Sequence, residues 1–255
     1  MATPLEQLAA FRSASVHHME LTEGRSLALS VLRFDEAMFT SAHFTAARLP
    51  CPDSIARSVR KRQAEFFFGR LAARQAMARA GVEQQLVSAG VGIGRSREPL
   101  WPAGLVGSIS HTTGIAMAAA SPSYSGIGID VERVISHETR AAVLQLTMDG
   151  AETRMLERCS GPMSLDERIT VVFSAKESLF KAAFSSVKRY FDFSAARLSS
   201  LDLQSGRLEL TLVEPLNQEF ARGRRCELTF ASLEGGFIVT ACAFRNFPRL
   251  GEVAV

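Results

Sequence analysis

The sequence has only four cysteines, Cys51, Cys159, Cys226 and Cys242, far apart and with no C-x-x-C pair among them. That spacing speaks against a zinc knuckle or a dithiol redox motif and for reduced thiols in a cytosolic protein. No apolar stretch approaches the roughly 18 residues a membrane-spanning helix needs, so no membrane partner is expected. The opening segment MATPLEQLAAFRSASVHHME lacks a basic start followed by an apolar core, so no signal peptide is expected and the location reads as cytoplasmic. Strong charge of one sign is also missing: 29 basic residues against 26 acidic ones leave a net charge of +3. This is too mild to specify nucleic acid, although it favours acidic ligands or acidic protein surfaces. There is no internal repeat and no low-complexity segment.

What is present is apolar content: 47% of the 255 residues are hydrophobic, enough for a core in one large domain or two small ones. In the first 50 residues short apolar runs mix with turn residues, and LALSVLRFD (27–35) reads as a strand. Residues 54–80 contain helix formers and no proline, with Gly81 placed for a C-terminal cap, and predict one long helix. VGSIS, IAMAAA and GIGIDVE then predict three short strands, separated by the turn signals HTTG and SPSYSG. Helices are predicted over 138–158 and 166–186. Beyond KRYFDF, the segments GRLELTLVE, CELTFASL and GFIVTACAF alternate and predict an antiparallel sheet of hairpins. The fold class is α+β, and SPSYSG is the candidate junction between an N-terminal half (1–125) and a C-terminal half (126–255).

Three clusters carry potential chemistry. In GIGIDVERV a strand period of two puts Ile127, Ile129 and Val131 on one face and Gly128, Asp130 and Glu132 on the other. The two carboxylates then point the same way, about 7 Å apart at their Cα atoms. Such a pair suits a hard divalent cation that shares phosphate ligands, but an isolated D-x-E is more often the solvent face of an edge strand. In VVFSAKESLFKAAF, Ser174 and Glu177 have capping-box spacing, and Glu177 with Lys181 forms an i, i+4 pair. Phe173, Phe180 and Phe184 mark the expected buried face, with Glu177 at its edge. The third cluster runs from Arg57 to Arg79, with seven basic residues against one acid, Glu65. Within it Arg62 and Arg70 lie about 12 Å apart along a helix and roughly 80° around it, able to bracket an anion. His111 in SISHTTG is placed at the turn following a strand.

GSISHT, GIGIDVE and FSAKESLFK in that order, preceded by KRQAEFFFGR and REPLWP, resemble the larger, two-lobed class of phosphopantetheinyl transferases, the type that activates siderophore and surfactin synthetases. The resemblance runs from about Lys61 to Phe193; the first 50 and last 60 residues share only its general character. It implies a pseudo-dimer of two similar α/β lobes with coenzyme A in the cleft between them. The implied reaction moves the phosphopantetheine arm of coenzyme A onto a serine of an acyl, peptidyl or aryl carrier protein, acidic and helical. A monomer is expected.

The resemblance further implies that Asp130, Glu132 and Glu177 hold Mg²⁺ or Mn²⁺ against the coenzyme diphosphate. Glu177 is then the base for the carrier serine, and Lys181 assists the departing 3',5'-ADP. Arg62, Arg70 and His111 bind the 3'-phosphate, while Ser110 and Lys176 line the diphosphate site. Lys61, Arg62 and Arg70 meet the metal residues across the cleft. Glu152 matches a family glutamate near the metal. Relatives often carry lysine at the position of Ser96, so Arg95 or Arg97 is expected to take over its work.

Two other classes bear weighing. Three carboxylates, a lysine and a basic helix also describe a metal-dependent nuclease or phosphohydrolase. Such nucleases usually carry E-x-K on a strand, whereas here glutamate and lysine stand four apart on a helix. A nucleic-acid-binding module needs aromatics spaced through its basic region, and the contiguous FFF reads as core.

Overall fold

The computed structural model describes residues 8–245, so the opening segment read for a signal sequence lies partly outside the described residues. Its first half contains β1 (Phe11–Glu20), β2 (Ser26–Phe34), α1 (Ala42–Ala46), α2 (Asp53–Ala56), α3 (Arg60–Arg79), α4 (Gln84–Ala89) and β3 (Gly92–Ile93). These are followed by β4 (Pro99–Leu100), β5 (Val106–Thr112) and β6 (Ile115–Ser121). Its second half contains β7 (Gly126–Arg133), α5 (His137–Thr147), α6 (Gly150–Arg158), α7 (Leu165–Val187), β8 (Ala196–Asp202), β9 (Arg207–Leu212), β10 (Arg225–Leu233) and β11 (Phe237–Phe244). The architecture is mixed α and β.

Two antiparallel sheets form, in strand orders β1-β2-β6-β5 and β7-β11-β10-β9-β8, with β3 and β4 making a small separate hairpin. The alternation along each strand explains the layering. Leu32, Phe34, Ala116 and Ala118 pack under α3 with Phe67 and Phe68. Leu29, Val31, Ile115 and Met117, one residue out of phase, meet Ile127, Ile129, Val131 and Val239 of the other sheet. The opposite face of that second sheet packs under α7 through Val172, Ala175 and Leu179. The order is therefore helix, sheet, sheet, helix, and each sheet carries one long helix on its outer face.

β5 and β7 are the edges where the sheets meet. The backbone N–H of Ile129 donates to the Ser108 hydroxyl at 3.1 Å, and that of Val131 donates to the Ser110 hydroxyl at 3.2 Å. Serine on β5 thus satisfies donors that an edge strand would leave to water. The solvent-edge alternative for Asp130 and Glu132 does not hold, because α7 covers that face. Gly128 permits the cover: a Cβ there would overlap the Ser178 carbonyl of α7.

Several predicted elements differ in detail. The helix over 54–80 breaks at residues 57–59, and the Gln63 amide donates to the open carbonyls of Ala56 and Ser58. Its end agrees with expectation: Gly81, at φ 76°, donates to Ala78 and Val82 to Met77. The helix over 138–158 is two helices, because Asp149 caps α6 through the N–H groups of Ala151 and Glu152. In α7 the capping box is Ser164 with Glu167. Ser174 lies inside the helix, and its hydroxyl hydrogen-bonds the Thr240 hydroxyl of β11. Strands β1 and β8 had no counterpart in the sequence reading.

Candidate active-site cleft

At the junction of β5, β7 and α7, Asp130 is 3% exposed. Its Oδ1 accepts from the Ser110 hydroxyl at 2.9 Å and from Lys181 Nζ at 2.7 Å. Lys181 also donates to the Ser110 hydroxyl and to the Ile129 carbonyl, each at 3.1 Å. The lysine therefore crosses from α7 to β7 rather than pairing along its own helix with Glu177. Ser110, at the meeting of the two sheets, accepts from Lys181 and the Val131 N–H while donating to Asp130. Asp130 Oδ2 is buried with no hydrogen-bond partner.

Glu132 and Glu177 face this centre from β7 and α7. Burial, reinforced by the Asp130 and Glu177 carboxylates, pushes Glu132 up to about 8. Burial and then Asp130 raise Glu177 as well, against the opposing pull of Lys181. One lysine is thus shared among three carboxylates, which concentrates negative charge in a desolvated place. Among the described residues no group of three His, Cys, Asp or Glu side chains forms a ready-made metal cage. The orphaned Asp130 oxygen and the two acids with raised pKa nevertheless make a donor set for a hard cation. Mg²⁺ is commonly held by one or two carboxylates, with substrate phosphates and water completing its shell.

Beside this centre lies a basic pocket of about 280 Å³, lined by Arg62, Phe66, Arg70, Arg97, Ile109 and His111 among others. Arg70 is nearly buried, with its guanidinium over the Phe66 ring at 4.9 Å and a buried Nη1 that has no partner. Burial, then Arg62, brings its pKa down to about 10, so it remains a cation near neutrality. His111 belongs to β5 itself, not to the turn after it. Arg62 Nη1 donates to its Nε2 at 3.1 Å, which puts the ring proton on Nδ1. Burial, then Arg62 and Lys181, lowers its pKa to about 4, so the ring is neutral. Glu65 stands 3.7 Å from that Nδ1.

A larger cavity of about 660 Å³ adjoins the pocket, with Arg97, Pro99 and Ile109 lining both. Trp101, Leu105 and Val106 of the first half and Phe180, Lys181, Phe184 and Tyr190 of the second form its walls. A third cavity of about 230 Å³ lies beyond Phe180 and Tyr190, against Glu177, Phe191 and Phe193. Phe173, Phe180 and Phe184 are half-buried; Phe180 and Phe184 line the cavities and Phe173 packs on Phe193, while the fully buried face of α7 is made by Val171, Val172, Ala175, Leu179 and Ala183.

The structure brings together Asp130, Glu132, Glu177, Lys181 and Ser110 at one end of the cleft and Arg62, Arg70, Arg97 and His111 at the other. Three expectations do not fit that grouping. Lys176, 3% exposed, turns its ammonium inward to the Thr147 carbonyl at 2.7 Å and to Glu152 Oε1 at 2.8 Å, although it also lines the cavity against Glu177. Glu152 also accepts from the Leu198 and Asp149 N–H groups, so it belongs to the interior and not to the metal donors. Lys61 hydrogen-bonds Thr113 at 2.9 Å and does not line the basic pocket. Sequence reasoning passed over Tyr190 and Trp101 as cavity walls. The clue for Trp101 is its being the single tryptophan, next to proline on either side of the LW pair; Tyr190 had none.

Residues 52–121 match the family model described as 4'-phosphopantetheinyl transferase N-terminal domain, and residues 126–242 match the 4'-phosphopantetheinyl transferase superfamily. The enterobactin synthase component D of Salmonella typhi is 39% identical over 154 residues, covering 60% of this chain and 62% of that protein. That of Escherichia coli K12 is 37% identical over 157 residues, covering 61% and 70%. The chain thus spans somewhat under two thirds of the length of the Salmonella typhi relative. The 4'-phosphopantetheinyl transferase Npt of Nocardia iowensis is 31% identical over 202 residues, covering 74% of this chain and 86% of that protein. With both parts of the fold matched in order and this extent of identity, the chain belongs to the 4'-phosphopantetheinyl transferase superfamily.

Proposed function

We propose that the chain transfers the 4'-phosphopantetheine arm of coenzyme A to a serine of an apo acyl, peptidyl or aryl carrier protein, releasing 3',5'-ADP. The observation that carries this is the arginine pocket adjoining the large cavity that Lys181 lines, with Lys181 tied to Asp130 and Ser110 and with Glu132 and Glu177 facing that network. An anionic ligand with two separated phosphate centres fits that charge pattern. On this reading the chain consists of two similar lobes, 1–125 and 126–255, related as a pseudo-dimer with the coenzyme between them. The helix-on-sheet build of each half supports it, as does the division of the family matches between residues 121 and 126.

Arg62, Arg70 and Arg97 hold the 3'-phosphate, with His111 beside them. The carrier serine oxygen forms a bond to the phosphorus bearing the pantetheine arm as that phosphorus loses its bridging oxygen to the adenylate side. The serine proton passes to Glu177, whose raised pKa brings it nearer to the neutral range where a general base is efficient. Lys181, held by Asp130, meets the negative charge that develops on the departing diphosphate oxygen. Mg²⁺ or Mn²⁺, held by Asp130, Glu132 and Glu177 when bound, neutralises phosphate charge as a Lewis acid. A mildly basic enzyme suits acidic carriers.

The test is intact-protein mass spectrometry of apo carriers incubated with this protein, coenzyme A and Mg²⁺, with EDTA as control. A metal-dependent gain of one phosphopantetheine is expected. No gain on any of an acyl, a peptidyl and an aryl carrier, with no calorimetric binding of coenzyme A, would refute the proposal.

A further inference from the structure

The small β3–β4 hairpin carries Arg97 into the basic pocket, yet it belongs to neither large sheet. Arg97 has φ of 67°, a left-handed conformation that is unfavourable for a residue with a Cβ and must be held by its surroundings. Two of the bonds that hold it come from the hairpin: Arg97 N–H to the Gly94 carbonyl at 3.0 Å, and Ser96 N–H to Glu98 Oε2 at 2.8 Å. The next comes from the other half of the molecule. Tyr190, just past the end of α7, donates its hydroxyl to the Ser96 carbonyl at 2.7 Å. That carbonyl belongs to the peptide group leading into Arg97, so the bond bears directly on the rotation that places the guanidinium.

Tyr190 is itself well positioned although 64% exposed. Its ring stacks on Phe180 of α7 at 5.4 Å between centroids and 17° between planes. It also meets Phe184 at 5.8 Å. α7 is the helix that presents Glu177 and Lys181. The chain of contact therefore runs from the helix carrying the reactive groups, through an aromatic stack and one phenol, to the arginine of the anion pocket. Tyr190 lines the large cavity in doing so.

We propose that Tyr190 is a positioning residue that latches the β3–β4 hairpin across the cleft and holds Arg97 on the coenzyme phosphate. The inference rests on the coenzyme A reading given above. It makes phosphate affinity depend on a tyrosine that touches no phosphate. The phenol is the only part of Tyr190 that acts on Arg97; the ring serves to aim it.

The test is calorimetric titration of coenzyme A into the wild type, Tyr190→Phe, Arg97→Ala and the double variant. The Phe variant keeps the stack and loses only the hydroxyl, so its melting temperature should fall by no more than about 2–4 °C. A hydrogen bond of ordinary net strength predicts about fivefold weaker coenzyme A binding in Tyr190→Phe. The same substitution should change nothing further when Arg97 is already alanine, because coupled residues fail to add. Unchanged affinity in Tyr190→Phe, or the same factor in both backgrounds, overturns the latch while leaving the enzymatic reading intact. Absence of coenzyme A binding by the wild type overturns the enzymatic reading and the latch together.

Discussion

Lys176 offers the sharpest division between what its neighbours in sequence suggest and what its surroundings do. Its ammonium donates to the Thr147 carbonyl at 2.7 Å and to Glu152 Oε2 at 3.1 Å, and stands 2.8 Å from Glu152 Oε1 as an ion pair. Glu152 in turn accepts from Leu198 on β8 and Asp149 before α6. One buried pair thus ties α7 to three other elements. Lys176→Met retains most of the apolar stem but leaves a carboxylate in a desolvated site with its cation gone. Breaking a buried pair from one side costs about 3–5 kcal/mol. At about 2–4 °C per kcal/mol for a chain of this size, the melting temperature should fall on the order of 6–20 °C. The double variant Lys176→Met with Glu152→Gln should recover part of the loss, since no net charge is left stranded. Thermal and urea denaturation would measure both, with coenzyme A affinity determined at 20 °C, well below unfolding. A variant that melts like the wild type but binds coenzyme A tenfold more weakly would refute this account and return Lys176 to the phosphate site.

Glu177→Gln should lower kcat by about 100-fold or more, as expected for a lost general base. Its melting temperature at pH 8 should not fall, because one of three mutually repelling carboxylates is gone; a large drop in stability would contradict the charge picture. Arg62→Ala should raise KM for coenzyme A far more than KM for dephospho-coenzyme A, and equal losses would remove the 3'-phosphate role. Gly128→Ala should push α7 off β7, costing about 1–3 kcal/mol by overpacking and lowering kcat as Lys181 parts from Asp130; chemical denaturation and steady-state kinetics report the two. For pH, Glu132 sits at about 8 in the fold against an ordinary 4.5, so the folded state binds the extra proton and stability falls as pH rises through that interval. His111, at about 4 against 6.5, acts oppositely between those values, leaving Glu132 to dominate from about pH 6.5 to 8. In metal-free protein the melting temperature should decline over that window, and Glu132→Gln should flatten the slope.

Spacing placed some of the candidate residues, and their assignment to a site came from the family resemblance. The period of two in GIGIDVE put Asp130 and Glu132 on one face, and the strand has that alternation, with Ile127, Ile129 and Val131 turned to the other sheet. Gly81 was readable as the end of α3 because positive φ is a local demand. Strands β1 and β8 were not readable: β1 is mostly exposed, and β8 is an edge strand with polar residues along most of its length. The break before α3 escaped because Gln63 is an ordinary helix-surface residue until the carbonyls of Ala56 and Ser58 come free, whereas the break before α6 was legible in the capping-box spacing of Asp149 and Glu152.

By itself the sequence determined the order of elements, the pairing of carboxylates on one strand and the composition of the basic helix, since each depends on periodicity over a few residues. Tertiary structure decided which of those groups meet. Ser110 and Lys181 are 71 positions apart, and Tyr190 and Ser96 are 94, yet each pair is within hydrogen-bonding distance. It also decided that adjacent residues of one helix part company: Lys176 points into the interior toward Glu152 while Glu177 faces the cleft. A helix advances about 100° per residue, so neighbours in sequence face different surroundings, and only the packing of α7 against α6, β7 and β11 turns one inward and leaves the other facing the cleft.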